Sequence, residues 1–204
     1  MARDRDVAAF DRRADSYQRG RLGVWHGRVA EAVLDVAGSA VPVPTRVLDV
    51  GCGTGLLLHG MATRWPEALE LVGVDPAPRM VGRARAALAG YARVRVEEAT
   101  AERLPFEDRA FDLIVSALAF DHWRDQRRGL KECARVLDVG GRLVLADLVA
   151  SWLWPTTVVG RRGHARTPRQ LAALLERAGL KPLEWHDVAP LGPFPLVQAV
   201  VAGH

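Results

Sequence analysis

Residues 47 to 55 read Val-Leu-Asp-Val-Gly-Cys-Gly-Thr-Gly, an apolar strand that ends in a glycine-rich turn and runs straight into a helix-forming stretch. Val47, Leu48 and Val50 suit a strand buried in a sheet, while Gly51, Gly53 and Gly55 remove the Cβ atoms that would keep a ligand off the backbone. A dinucleotide loop follows Gly-x-Gly-x-x-Gly and receives a pyrophosphate at a helix N-terminus, but here Leu56 stands in place of the third glycine. Asp49 adds a carboxylate that repels a pyrophosphate and attracts an ammonium or sulfonium. Asp75, 24 residues after Gly51, ends a second apolar run, Leu71-Val72-Gly73-Val74, where an acid accepts hydrogen bonds from two ribose hydroxyls. The expected ligand is therefore a nucleoside that carries a positive charge.

Apolar runs and helix-forming stretches alternate around this turn. The pattern predicts strands at 46–50, 70–74, 94–98, 111–116 and 141–148, with helices at 56–65, 78–89 and 124–136. A helix at 168–178 and strands near 182–188 and 196–202 follow. Such alternation implies a mostly parallel sheet with helices on both faces. Upstream, Val7, Phe10, Ala14 and Tyr17 recur at helical spacing, giving a helix outside the sheet that is placed to cover the site. A second helix is expected over 25–37, and Pro42 and Pro44 break the chain before the first strand. Residues 149–167, with Trp152, Trp154, Pro155 and the run Arg161-Arg162-Gly163-His164, interrupt the rhythm. They read either as a lid over the substrate or as a surface connection whose tryptophans pack on the sheet.

A chain of 204 residues, 49% of them hydrophobic, suits one α/β domain. Its expected division is cap helices at 1–40, a cofactor-binding core at 41–148, the candidate lid at 149–167 and a terminal helix and strand pair at 168–204. The opening Met-Ala-Arg-Asp-Arg-Asp lacks the apolar run of a signal peptide and no stretch approaches a membrane span, so a cytoplasmic location away from the membrane is expected. Cys52 and Cys133 are expected to be free thiols, and no metal-ligand spacing occurs. The net charge is +4, but 26 of the 28 basic residues are Arg and they are scattered among acids, which indicates compositional bias rather than a nucleic-acid surface.

Four segments, Val47–Gly55, Val72–Asp75, 101–116 and 132–145, stand in an order and spacing that resemble class I S-adenosylmethionine-dependent methyltransferases. The likeness is to the small branch typified by ubiquinone and menaquinone biosynthesis methyltransferases. The third segment holds Ala101-Glu102-Arg103-Leu104-Pro105-Phe106 and Phe111-Asp112-Leu113-Ile114-Val115-Ser116; the fourth holds Glu132-Cys133-Ala134-Arg135-Val136-Leu137 and Gly140-Gly141-Arg142-Leu143-Val144-Leu145. The resemblance implies a Rossmann-like, doubly wound, seven-stranded sheet with an antiparallel last strand and a small cap of N-terminal helices. It also implies S-adenosyl-L-methionine as cofactor and S-adenosyl-L-homocysteine as product.

Ligands of open α/β sheets lie beyond the carboxyl ends of the strands, which gathers the 49–55 turn, Asp75, residues 100–102 and the segment after Ser116 around one crevice. Gly51 and Gly53 are expected beneath the ligand's methionine and ribose and Asp75 at the ribose hydroxyls, with Cys52, Gly55 and Pro76 also among the cofactor-binding residues. Asp49 either meets the ammonium, directly or through water, or holds the loop through backbone bonds. Met80 either packs on adenine or belongs to the core. The family commonly has an acid before Ala-Glu to receive the adenine amino group; here Thr100 precedes Ala101 and Glu102 and offers an uncharged acceptor. Ser116 ends the fourth strand, and Tyr17 belongs to an N-terminal signature whose aromatic lies near the cofactor.

Methyl transfer is an in-line displacement, so alignment of the acceptor about 3–3.5 Å from the methyl and exclusion of water do much of the work. A hydroxyl acceptor must also lose a proton. His122 is either the base or a residue that hydrogen-bonds a loop without touching substrate, with Asp121 to orient it or to bind a substrate hydroxyl. His26, His164 and Tyr17 are secondary candidates, while His59 and His186 read as packing or surface residues. The leading expectation is a small-molecule methyltransferase acting on oxygen, as monomer or homodimer. Carbon methylation of an activated ring, with a lipophilic entrance at Trp152, Leu153 and Trp154, runs close behind. RNA or protein methylation, and a non-catalytic cofactor-binding module, are the readings from other classes.

Overall fold

Strand alternation sorts the side chains of β1 (Arg46–Val50) to two faces, and the two faces build two separate cores. The computed structural model describes residues 5–17, 20–148, 166–191 and 194–204. Val47 faces one core with Leu71, Leu113 and Val144, covered by α2 (Gly20–Ala40), α3 (Leu56–Arg64) and α4 (Pro78–Ala87). Leu48 and Val50 face the other with Val72, Ile114 and Leu143, covered by α5 (Gln126–Val136) and α6 (Pro168–Arg177). The remaining strands are β2 (Glu70–Asp75), β3 (Val94–Glu98), β4 (Phe111–Ala117), β5 (Leu137–Leu148), β6 (Lys181–Leu191) and β7 (Phe194–Gly203).

The sheet has seven strands in the order β3-β2-β1-β4-β5-β7-β6, parallel except for β7, which runs antiparallel to both neighbours. This is the Rossmann-like arrangement expected from the sequence. The order reverses between β1 and β4, and a doubly wound sheet opens its ligand crevice at that switch point.

Two boundaries differ from the sequence reading in instructive ways. Strand β5 starts at Leu137 rather than 141: Phe111 pairs with Leu137, the register shifts, and pairing resumes at Leu113 and Arg142. The bulge encloses Gly140, whose φ of 81° a non-glycine residue rarely adopts. Helix α2 is longer than expected, and Val29, Ala30, Val33, Leu34 and Ala37 bury one of its faces in the first core. The cap at the site is thus α1 (Arg5–Arg13) with the beginning of α2. Among the described residues, no helix is long and apolar enough to cross a membrane. The candidate lid at 149–165 of the expected 149–167 segment, with Trp152, Leu153, Trp154 and His164, lies outside the described residues.

Candidate active site

The end of β1 is tied to the end of β2. The backbone N–H groups of Gly51 and Cys52 both donate to the Val74 carbonyl, at 2.8 and 3.0 Å. The Asp75 carboxylate then fixes the two loops together: Oδ2 accepts from Gly53 N at 3.0 Å and Oδ1 from Ala77 N at 2.9 Å. Gly51 has a φ of 84°, and a Cβ built on it would fall 2.4 Å from the Ala119 Cβ, so only glycine lets the post-β4 segment approach this turn. At Gly53, by contrast, an added Cβ meets nothing within 4 Å, and the backbone faces open space.

That space is a cavity of about 1130 Å³, ample for a nucleoside cofactor together with a second small molecule. Of the residues expected at a cofactor, Asp49, Gly51, Cys52, Gly53, Asp75 and Pro76 line it from the strand ends. Thr100, Ala101 and Glu102 line it beyond β3, and Tyr17 and Met80 line it from the cap and α4. Met80 is 1% exposed and packs with Ala14 and Ala77, so it is both wall and core. Cys52 contributes wall as well, but it belongs to the first core, and its sulfur lies 2.8 Å from where a Cβ on Gly73 would fall.

Three expected site residues do not line this cavity. Ser116 is fully buried and its Oγ donates to the Val50 carbonyl at 2.8 Å, which places it as a brace between β4 and β1. Gly55 serves packing: its φ is 85°, and a Cβ there would sit 2.8 Å from Leu88 Cδ1 and 3.1 Å from Ala84 Cβ of the α4 segment. Asp121 turns to the opposite side of the 3₁₀ turn Phe120–His122, into a small separate recess with Asp147 and Arg166. A tight three-residue turn sends adjacent side chains in different directions, so Asp121 does not stand beside His122 at the cavity.

His122 does line the cavity, with its side chain 14% exposed. Its Nδ1 lies 3.4 Å from Asp6 Oδ2, and its ring stands edge-on to Phe10 at 4.6 Å. His26 also lines the cavity, stacked on Tyr17 at 4.7 Å, and burial holds its imidazole below the usual range. His59 meets the Tyr91 hydroxyl at 3.2 Å, and His186 lies 3.2 Å from Glu184, both away from the cavity. Sequence reading missed Asp6, which joins His122 across 116 residues of chain. It also missed Asp147, whose Oδ2 accepts from Asp121 N at 3.0 Å and whose Oδ1 accepts from Leu148 N at 2.7 Å. No short-range pattern marks either one.

The electrostatics concentrate on Asp49. It is 1% exposed, Oδ2 has no hydrogen-bond partner among the described residues, and burial, with the Asp75 charge behind it, pushes its carboxyl up to about 8. Burial likewise lifts Asp75 to about 6 against its two backbone donors. A residue on the cavity wall whose buried carboxylate has one oxygen without a donor suits a cationic ligand group. Together with the open backbone at Gly53 and the acid at Asp75, these residues fit an amino acid joined to a nucleoside.

Comparison with known proteins gives the same direction. A family model described as a methyltransferase domain matches residues 47–141. The demethylmenaquinone methyltransferase of Deinococcus radiodurans is 44% identical over 105 residues, covering 51% of this chain and 43% of that protein. The malonyl-[acyl-carrier protein] O-methyltransferase of Geobacter sulfurreducens is 34% identical over 192 residues, covering 88% and 71% respectively. The chain thus spans less than half of the first relative's length and over two thirds of the second's. In the solved complex between the Haloferax volcanii Trm112 methyltransferase activator and a methyltransferase, one chain superposes with a TM-score of 0.81 at 21% identity, with both chains fully covered. This last likeness is one of fold.

Proposed function

The chain belongs to the class I S-adenosylmethionine-dependent methyltransferases, in the branch that includes the ubiquinone and menaquinone biosynthesis enzymes, and we propose that it methylates a hydroxyl oxygen of a small molecule with His122 as general base. The observation that carries this reading is the position of His122, a mostly buried imidazole on the wall of the cavity that also holds the glycine turn, Asp49 and Asp75. Bound there, S-adenosylmethionine supplies an electrophilic methyl on a sulfonium and departs as S-adenosylhomocysteine.

The chain's own residues have four tasks in this account. Asp49 receives the ammonium, for which its unpartnered Oδ2 is suited. Asp75 accepts from ribose hydroxyls through the lone pairs that Gly53 N and Ala77 N leave available, since each carboxylate oxygen takes two donors. Thr100, Ala101 and Glu102 border the adenine, with Met80 as its apolar support. His122 takes the acceptor's proton, while Phe10 and Tyr17 of the cap keep bulk water from the reacting atoms.

His122→Gln is expected to lower turnover by about 10²–10⁴-fold, the usual worth of a positioned base, with cofactor affinity nearly unchanged. Turnover that survives the substitution removes the base from the account. The names of the quinone-methylating relatives favour a second reading, carbon methylation of an activated ring. Carbon-13 NMR of the product made from methyl-labelled cofactor separates the two, because a methyl on oxygen and a methyl on carbon resonate far apart.

A further inference from the structure

We propose that Asp6, on the cap helix α1, is a positioning residue for His122, so that the base is assembled only while α1 is seated on α4. This inference rests on the reading of His122 as the base and adds what controls it.

Asp6 and Phe10 lie four residues apart on α1 and therefore share one helix face. Both meet the same imidazole, the carboxylate at Nδ1 (3.4 Å) and the phenyl ring edge-on (4.6 Å, 85° between planes). A neutral imidazole carries one N–H and one lone pair, and the nitrogen that faces a carboxylate keeps the proton. Asp6 thereby puts the proton on Nδ1 and the lone pair on Nε2, the nitrogen that accepts the substrate proton. The same carboxylate faces the positive ring that results. A 3.4 Å separation is long for a finished hydrogen bond, and contacts of this kind shorten when a ligand closes the site.

The seat of α1 is defined as closely as its contact with His122. Ala14 is buried against Ala77 and Met80, with Val7, Phe10 and Tyr17 alongside. Asp11 Oδ1 accepts from Arg79 N at 2.8 Å in the first turn of α4, and Asp15 pairs with Arg79 at 2.5 Å and with Arg83. Helix α4 begins just after Asp75, whose Oδ1 holds Ala77 N. The platform for the cap and the ribose acid are therefore parts of one short segment. A cap that seats on this segment delivers Asp6 to His122 and shields the cavity in one movement.

The test is the ring-nitrogen NMR spectrum of protein labelled with ¹⁵N-histidine and saturated with S-adenosylhomocysteine; the His122→Gln spectrum identifies the His122 signals by their loss. The wild type is expected to carry the neutral-ring proton on Nδ1. Asp6→Leu, which removes the carboxylate from an exposed position, is expected to abolish that tautomer. Ala14→Glu, which places a charge in the α1–α4 seam without touching His122, is expected to do the same. Because Asp6 lines the same cavity as Asp49 and Asp75, affinity for S-adenosylhomocysteine is measured alongside in Asp6→Leu and the spectra are taken at saturation of each variant, so that a lost tautomer is not confused with lost ligand. Amide spectra report whether each variant keeps its core. A wild-type ring protonated on Nε2, or an Nδ1 tautomer that persists in both folded variants, overturns the proposal. Full turnover by His122→Gln overturns the base reading instead, even where the tautomer follows Asp6, and removes the catalytic meaning of the contact.

Discussion

Asp49 carries the sharpest residue-scale consequence. A buried carboxylate on the cavity wall, with one oxygen that lacks a partner among the described residues, is stabilised as an anion only when a cation arrives. Asp49→Asn keeps the shape and removes the charge. It is expected to weaken cofactor binding by about 10–100-fold, the range for one hydrogen bond to a charged group, as titration calorimetry can measure. Because the wild-type carboxyl sits near 8 before the ligand binds, binding at pH 7 is expected to release a proton. The wild-type binding enthalpy will then depend on the buffer's ionisation heat, and the Asn variant will lose most of that dependence. The same scale shows where sequence reading stops. Asp49, next to last in β1, and Asp75, last in β2, were picked out because each stands beside a glycine turn, and the structure puts both on the cavity wall. Asp121 and Ser116 were misplaced because composition does not reveal the direction of a side chain in a 3₁₀ turn or at the last residues of a strand.

At the scale of elements, the strand and helix order was legible because apolar periodicity survives packing, and the boundaries that moved did so for tertiary reasons. The early start of β5 depends on a bulge against β4, and the extension of α2 on a buried face that packs on α3 and the sheet. The connection from β3 to β4 is held in a way no local pattern announces. Arg135 on α5 donates to the Phe106 carbonyl at 2.7 Å and the Leu104 carbonyl at 3.1 Å, and pairs with Glu132 and Asp108. Burial works against these charges, yet the guanidinium is held firmly protonated by its two carboxylate partners. Arg135→Ala is expected to cost about 2–3 kcal/mol and to lower the midpoint of thermal unfolding by roughly 5–10 °C, because the Leu104 and Phe106 carbonyls lose their donor. Calorimetry that detects no loss would mean that this segment is fixed by its apolar contacts alone. Asp6 escaped sequence reading for the same reason as Arg135, since its meaning lies in a contact made far along the chain.

For the whole molecule, the acids at the strand ends set the response to pH. Burial raises Asp49 to about 8 and Asp75 to about 6, and burial together with the neighbouring Asp121 charge raises Asp147, all above their ordinary values. The folded chain then holds protons that the unfolded chain releases between about pH 4 and 8, so this contribution to stability is present at low pH and is lost as pH rises through those values. The cofactor-free protein is expected to lose thermal midpoint steadily between pH 5 and 9, a trend that scanning calorimetry resolves. Saturating cofactor opposes it, because ligand that binds only the folded state adds about 2.7 kcal/mol at a hundredfold excess over Kd. A midpoint that rises steadily over this range without ligand would show that the strand-end acids are solvated.

Methyl transfer from this cavity to a small molecule is tested most directly by one labelling experiment. Purified protein is incubated with methyl-labelled S-adenosylmethionine and a deproteinised extract of its source cells, the mixture is fractionated, and His122→Gln serves as the parallel control. Label is expected in a low-molecular-weight product and is expected nearly to disappear in the variant. Label confined to RNA or protein when those are supplied, or no product at all from protein that demonstrably binds the cofactor, would contradict methyl transfer to a small molecule.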